Sequence, residues 1–531
     1  MQTAKAVTRL EADVLVIGGG ATGAGVAWDA SLRGYQTILV DRSDLSQGTS
    51  GRFHGLLHSG GRYVVKDPQA ATECIVENRI LRNVAAATIE DTGGLFVTTP
   101  ADDFSYGDDF LRACADTGVP VSELTTAEAL SREPLLNPAI RRAFAVPDAA
   151  IDSWKLSRAL ERGITEHGGR LLTYHEVIAV RRDGDAVTGA VLRDKRTGEE
   201  IDVEAGFTIN ASGAWAGQVS ALAGIEDVTI VPGRGIMIAM NHRLVNTVVN
   251  RCTMPADGDI IVPIRTVSVI GTTDVHARDP DDLDIAQHEV DQMLDAGEQL
   301  VPGLRTARAL RVWAGVRPLF RDTRARGSDR DISRAHVLLD HHERDGVTRF
   351  ITITGGKLTT FRLMAQEAVD AMCRQLGATK PCRTREETLP GSERGEYYEL
   401  SARLNTLEQH KNGDPASDAL VCECEMIPRH RLEQAMRDRP TANLDDIRRA
   451  LRLGMGPCQG GFCIYRAAGI LHEVGHLDGA TANDALVDFL EERWKGTWPI
   501  LYGDQLRQAR LDDWIYQGLL DVEHLPDRTA P

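Results

Sequence analysis

The feature that most constrains this chain lies in its first forty residues, where Asp13-Val-Leu-Val-Ile17 runs into Gly18-Gly-Gly20-Ala-Thr-Gly23-Ala-Gly25 and a helical pattern continues to about Arg33. A short apolar run of this kind reads as a buried parallel strand. Gly18, Gly20 and Gly23 answer three separate needs: a tight turn, close backbone approach to a pyrophosphate, and close packing of helix on strand. The amides at the start of that helix then face the phosphates. A second strand, Thr37-Ile-Leu-Val40, ends at Asp41, eighteen residues after Gly23. An acid at that distance accepts hydrogen bonds from the adenosine ribose and argues against NADP. Strand, glycines, helix, second strand and acid in this order predict a nucleotide site rather than a glycine-rich turn without a ligand. The motif does not choose between NAD and FAD.

At 531 residues the chain exceeds a single core, which predicts two to four domains. Sixty basic against 77 acidic side chains give a formal charge of -17, which disfavours nucleic acid or an anionic lipid surface as a generic partner. The sequence has no uninterrupted apolar run long enough to span a bilayer, and MQTAKAVTRLEAD lacks the apolar centre of a signal peptide, so a cytoplasmic protein is expected.

After Asp41 the loop Arg42-Ser-Asp-Leu-Ser-Gln-Gly-Thr49-Ser50-Gly51 has the composition of a second phosphate-contacting segment. Gly55-Leu-Leu-His58-Ser-Gly-Gly61-Arg62-Tyr63 is rich in polar reactive groups, readable as a site or as a surface turn. The nucleotide domain resumes between Trp154 and Ala216, where the small residues Ala211 and Gly213 let backbone approach a ligand. Residues 228–340 carry β-rich runs expected of a substrate domain with an antiparallel sheet. Arg349-Phe-Ile-Thr-Ile-Thr354 then leads through Gly355-Gly356-Lys357 into a helix, again an anion-binding geometry. The expected division is an oxidoreductase unit over 1–390 with its substrate part mainly at 228–340, a linker over 391–418, a cysteine module over 419–475, and a C-terminal segment over 476–531. The aromatics Trp494, Trp498, Tyr502, Trp514 and Tyr516 in that last segment read as a core or docking face.

Of nine cysteines, Cys422, Cys424, Cys458 and Cys463 form two close pairs. In a reducing compartment such pairs suggest metal rather than disulfides. They could share an iron–sulfur cluster, and four-thiolate zinc is the alternative.

Taken together, DVLVIGGGATGAG, GLLHSGGRY, INASGAWA, AGVRPL and ITGGKLTT resemble, in this order, the FAD-dependent glycerol-3-phosphate dehydrogenases over about residues 10 to 380. With VCECE and GMGPCQGGFC added, the whole chain resembles the A subunits of the bacterial anaerobic enzymes. The resemblance implies an α/β architecture: a glutathione-reductase-type FAD-binding Rossmann domain, an α+β substrate domain, and a small C-terminal domain like that of bacterioferritin-associated ferredoxin holding a [2Fe-2S] cluster on the four cysteines. It implies noncovalent FAD and oxidation of sn-glycerol 3-phosphate to dihydroxyacetone phosphate. It also implies a flavin-related B subunit, together with an iron–sulfur membrane-anchor C subunit, that pass electrons to quinone, with the chain peripheral on the cytoplasmic face of the bacterial inner membrane.

Residue by residue, the resemblance implies FAD contacts from Gly18, Gly20, Ala21, Thr22 and Gly23, from Asp41 and Arg42, and from Thr49, Ser50 and Gly51. Val177, Ala211 and Gly213 follow, then Gly356, Lys357, Leu358 and Thr359. Flavin oxidation of a secondary alcohol needs a hydride acceptor, a proton acceptor, and positive charge for the phosphate and the reduced flavin. Arg62, Arg317 and Lys357 are the candidate charges, with His58 and Tyr63 as hydrogen-bonding groups and His58 as candidate base. The chain departs from aerobic relatives where they carry Lys-Gly-Ser-His: it reads Arg234-Gly235-Ile236-Met237, and neither Ile236 nor Met237 can shuttle a proton. Two other readings are compatible with these residues: an amine or 2-hydroxy acid dehydrogenase of the same fold, and a noncatalytic flavin electron-transfer subunit.

Overall fold

The computed structural model of the protein describes residues 8–322, 335–439 and 443–524. The first seven residues of the N-terminal stretch, and 323–334 within the expected substrate part, lie outside these.

Two large sheets organise the chain. In the first, of eight strands among the described residues, β1 (Thr8–Ile17) pairs in parallel with β2 (Thr37–Asp41) on one side and with β3 (Glu200–Asn210) on the other. Val14, Leu15 and Val16 are fully buried, as expected of a parallel strand covered on both faces. The crossover from β1 to β2 is α1 (Ala21–Leu32), all but one of whose residues are buried. β3 forks: its first half pairs antiparallel with Ala186–Asp194, and its end pairs in parallel with Phe350–Gly355.

The second sheet has nine strands among the described residues and is dominated by the antiparallel ladder of β4 (Thr229–Met240) and β5 (Ala309–Arg321), in register from Thr229 opposite Arg321 to Ala239 opposite Arg311, with a bulge before Met240 opposite Ala309. It also takes Gly94–Thr98, Ser122–Leu124 and Arg142–Val146, a stretch in which the sequence shows no recognisable site. His336–Asp340, expected in the substrate part, instead pairs with β6 (Phe350–Gly355) in the first sheet. Ile236, Ile238, Ile261 and Ile270 bury one face of the second sheet against Val290, Met293 and Leu294 of the helix Gln287–Leu300.

A small three-stranded sheet joins the two layers. Its strands Leu56–Leu57, Ile89–Glu90 and Ala149–Ile151 alternate, so Leu57, Ile89 and Ile151 enter the core of the nucleotide layer while Leu56 and Ala150 enter a core with Val248, Ile260 and Val262. The segment carrying His58 and Tyr63 is thereby fixed between the sheets.

The cysteine module has its own core of Leu432, Ile447, Ile464, Leu471 and Phe489. Phe489 belongs to the helix Gly479–Thr497, so the segment after residue 475 completes the module rather than trailing from it. That helix also packs on β5: a Cβ added at Gly496 would stand 2.7 Å from Val312 O. The connecting stretch lies on the body, with Tyr398 donating its amide to Ile89 O at 2.8 Å and its ring under Arg265 at 3.7 Å. No helix among the described residues is long and apolar enough to cross a membrane.

Candidate functional site

A cavity of about 550 Å³ opens at the C-terminal ends of β1, β2 and β3 and runs to the ladder of β4 and β5. Open α/β sheets bind ligands at this end. At its nucleotide end Gly18 has φ +110°, and a Cβ there would lie 2.6 Å from Ala211 O. A side chain at Gly23 would strike Gly18 O at 1.8 Å, so Gly23 serves helix–strand packing. Gly20 has ordinary φ of -71° and faces the cavity, with Ser50 Oγ 3.2 Å from where its Cβ would be. Two turn amides have internal partners: Gly19 N donates to Asp41 Oδ2 at 2.6 Å, and Ala21 N to Ser50 Oγ at 2.9 Å. Ser43 N donates to Asp41 Oδ1 at 2.7 Å. Burial raises the Asp41 carboxyl to about 6 against the lowering by these two backbone donors. A glycine cradle ending in a half-buried carboxylate fits the diphosphate and ribose of a dinucleotide.

Arg42 lies over the Trp215 ring, 4.4 Å from its centroid, and reaches Asp281 Oδ1 at 2.5 Å, while Trp215 Nε1 donates to Asp281 Oδ2 at 3.0 Å. The loop 42–51 is thus held to a segment of the second sheet layer. Thr49 Oγ1 donates to Val316 O at 2.5 Å, tying the same loop to β5.

At the far end the cavity is lined by His54, His58, Tyr63, Arg317 and Lys357. Arg317 projects from β5, and its guanidinium donates to Thr272 Oγ1, to Thr273 O at 3.1 Å and to Gly233 O at 3.4 Å, with Asp274 Oδ1 at 3.1 Å. Lys357 Nζ stands 4.4 Å from the Tyr63 ring centroid; the Tyr63 and His58 rings are 5.3 Å apart, and those of His58 and His54 5.9 Å. The His58 backbone is pinned by its amide, which donates to Thr359 Oγ1 at 3.1 Å.

His54 reports the field at this end. Burial, then the positive charges of Arg62 and Arg317, push its imidazole down to about 3, so the ring is neutral at physiological pH. Leu56 N donates to His54 Nδ1 at 3.2 Å, which leaves the ring proton on Nε2. Burial, the larger cause, disfavours either charge, whereas the field of Arg62 and Arg317 favours an anion.

Of the residues expected at the cofactor or substrate, Gly18, Gly20, Ala21, Thr22, Asp41 and Arg42 line this cavity, as do Thr49, Ser50, Val177, Ala211 and Gly213, and Gly356, Lys357, Leu358, His58, Tyr63 and Arg317. Four do not. Gly23 packs on Gly18, and Gly51 packs on Ser46 O, 2.0 Å from its would-be Cβ. Thr359 is buried behind His58, and Arg62 faces Asp259, with Nη1 2.8 Å from Oδ1, so that it acts on the cavity by its field rather than by contact. Arg234, expected from the sequence to stand where aerobic relatives carry the lysine of Lys-Gly-Ser-His, is buried against Glu289 at 2.6 Å and does not line the cavity. His54, Trp215 and Asp281 were not among the expected site residues. Gly55 at φ +87° turns the chain so that the His54 and His58 rings meet, a bend that no side-chain spacing signals, and Asp281 likewise carries no local signal.

In the cysteine module all four sulfurs meet. Cys424 Sγ donates to Cys458 Sγ at 3.9 Å, and Cys422 and Cys458 each neighbour both Cys424 and Cys463, which closes a ring of four sulfurs. Among the described residues no three His, Cys, Asp or Glu side chains converge on one metal-ion position. The donor set is therefore judged on its chemistry: four soft thiols in one ring fit an iron–sulfur cluster. All nine cysteines are free of disulfides.

The FAD dependent oxidoreductase family model matches residues 13–371, and the BFD-like [2Fe-2S] binding domain model matches residues 420–473. The A subunit of the anaerobic glycerol-3-phosphate dehydrogenase of Escherichia coli (strain K12) is 43% identical over 96% of this chain and 97% of its own. The corresponding A1 subunit of Haloferax volcanii is 40% identical over 97% of this chain and 91% of its own. Among solved structures, the glycerol-3-phosphate dehydrogenase from Bacillus halodurans complexed with FAD shares the fold at a TM-score of 0.58 and 21% identity, over 98% of this chain and 96% of that one.

Proposed function

The chain belongs to the FAD-dependent oxidoreductases and, within them, to the family of anaerobic glycerol-3-phosphate dehydrogenase A subunits, and from that membership we propose that it oxidises sn-glycerol 3-phosphate to dihydroxyacetone phosphate. The observation that carries this reading is one cavity joining a dinucleotide cradle at Gly18–Asp41 to a cationic end at Arg317 and Lys357 beside His58. FAD, when bound there, supplies a two-electron acceptor for the hydride of the secondary carbinol. Arg317, whose guanidinium is held by Gly233 O, Thr273 O, Thr272 and the Asp274 carboxylate, offers the phosphate a fixed positive charge. Lys357 adds a second positive charge. His58 takes the hydroxyl proton as the carbon–hydrogen bond breaks. His54, with its proton on Nε2 and its base strength suppressed, orients by donating a hydrogen bond rather than by accepting a proton.

Cys422, Cys424, Cys458 and Cys463 would hold the [2Fe-2S] cluster, which would supply an electron relay toward a flavin-related B subunit, an iron–sulfur membrane-anchor C subunit and quinone, with the chain on the cytoplasmic face of the inner membrane. Support for partner subunits comes from the relatives' designation as A subunits and from Trp494, Trp498 and Trp514, each more than half exposed on the C-terminal helices. Anaerobic titration with glycerol 3-phosphate tests the catalytic reading: the flavin's visible band should bleach, and 2-hydroxy acids or amines should leave it unchanged. A flavin that persists with glycerol 3-phosphate would reject the assignment.

A further inference from the structure

The loop that closes the nucleotide end of the cavity is gripped from both sides. From within, Ser43 N is held by Asp41 and Ser46 N donates to Gly19 O at 2.9 Å, while Gln47, Thr49 and Ser50 line the cavity. From without, the grip comes from the cysteine module. Asp44, in the middle of this loop, is fully buried, and its carboxylate meets three guanidiniums: Arg158 at 2.7 Å, Arg439 at 2.6 Å and Arg449 at 3.3 Å. Arg158 and Arg449 donate hydrogen bonds to it, and Arg439 meets it as a close ion pair.

Only Arg158 belongs to the oxidoreductase body. Arg439 caps the helix Arg429–Asp438 of the module, and Arg449 lies in the module's helix Leu444–Leu451. Arg449 also reaches the cavity wall itself, since the Gln47 side-chain oxygen, in the amide orientation that satisfies both groups, accepts from Arg449 Nη2 at 2.6 Å and Nη1 at 2.9 Å. Asp446 orients Arg449 and accepts from Tyr174 Oη at 2.5 Å, and Arg439 donates to Thr173 Oγ1 at 2.9 Å.

A buried carboxylate is tolerated only while paired, and removing partners strands it at high cost. Undocking of the module would leave Asp44 with one guanidinium of three and free Gln47 at the cavity wall. The shape of the loop and the docking of the module are therefore one equilibrium. We propose that Arg439 and Arg449 are positioning residues that clamp the FAD-binding loop, so that occupancy of the flavin site and docking of the iron–sulfur module are coupled: each strengthens the other by the same factor. The proposal rests on FAD in this cavity and is independent of the substrate.

The test uses the full-length holoprotein with Arg439→Met, Arg449→Met and the double substitution. FAD release is followed by the rise in flavin fluorescence, with circular dichroism and iron content as controls. The double variant should release FAD about tenfold or more faster than the parent, at unchanged iron content, in the usual range of coupling between sites. Reciprocally, stripping FAD from the parent should raise amide exchange in Arg429–Asp438 and Leu444–Leu451, and added FAD should restore protection in the parent but not in the double variant. If the double variant does not fold, Arg439→Met, which leaves Arg158 and Arg449 on Asp44, gives the same reading at smaller size. Release within about twofold of the parent, where typical coupling exceeds that factor, overturns the proposal. So does amide exchange in the module that is indifferent to FAD, or an equal acceleration by Arg437→Met, whose side chain is exposed on the same helix.

Discussion

The ammonium of Lys357 stands 4.4 Å from the centroid of the Tyr63 ring. A cation over an aromatic face is restrained without being neutralised. Lys357 therefore keeps its charge for an anion in the cavity, in contrast to Arg234, whose partner Glu289 cancels it. Lys357→Met should lower kcat/KM for glycerol 3-phosphate by about 10² to 10³. Tyr63→Leu, which removes only the restraint, should cost about tenfold or less. Both variants should keep their flavin, and steady-state kinetics with a dye acceptor checks the order of the two effects.

Arg317 is the better-oriented cation, because Thr273 O, Gly233 O and Thr272 fix the plane of its guanidinium. Arg317→Ala should reduce kcat/KM by about 10² to 10³, and Arg317→Lys should recover only part of it, since an ammonium cannot keep the planar set of bonds to Gly233 O, Thr272 and Thr273 O that fixes the charge. The same substitution removes one of the charges that depress His54, so the imidazole should titrate at a higher pH than in the parent. An NMR titration of His54 measures that shift directly. A normal kcat/KM in Arg317→Ala would place the phosphate elsewhere.

The parts of this molecule that were legible in its sequence are those where local chemistry admits few residues. Gly18 sits at φ +110° against Ala211 O, and no side chain fits there, so the glycine itself announces the turn. The FAD fold and the [2Fe-2S] module were readable for the same reason, through glycines and paired cysteines at fixed spacing. Contacts made across long loops were not. Arg42 meets Asp281 across 239 residues, and nothing near either residue signals the other. The second sheet drew Gly94–Thr98 and Arg142–Val146 from a stretch that reads as ordinary alternating structure, because parallel pairing of Gly94–Thr98 with Val248–Arg251 depends on tertiary packing alone. Arg62 stands off the cavity for a related reason: its type suits a phosphate, but the buried Asp259 takes the guanidinium, and nothing near either residue signals the other.

Asp41 gives the cofactor site a predictable pH dependence. Burial lifts its carboxyl to about 6, so below that pH the free site is increasingly protonated. Ribose hydroxyls donate to the carboxylate, and FAD binding therefore favours the ionised form and releases the proton. The sign follows: FAD affinity should be flat in the neutral range and weaken as pH falls through about 6, approaching a tenfold loss per pH unit. Asp41→Asn should weaken binding at neutral pH and abolish that slope. Fluorescence titration of FAD into stripped protein across pH 5 to 8, the range over which about one proton is expected to be taken up, checks both.

Cys458 separates the two redox sites most cleanly. It lies in the ring of four thiols, 3.9 Å from Cys424, and does not line the cavity that holds Arg317 and Lys357. A serine hydroxyl is a poor cluster ligand beside three thiolates, so Cys458→Ser should purify with little iron or labile sulfide. The nucleotide cradle and the cationic end of the cavity are built from other residues, and bleaching of the flavin by glycerol 3-phosphate should proceed within about threefold of the parent rate, a change too small to signal loss of a transition-state contact. Turnover with a membrane quinone through partner subunits should fail. Iron and sulfide assay, single-turnover flavin reduction and quinone-linked turnover together decide the matter. Stoichiometric zinc in the anaerobically purified parent, with no iron, would instead make the four thiols a structural metal site.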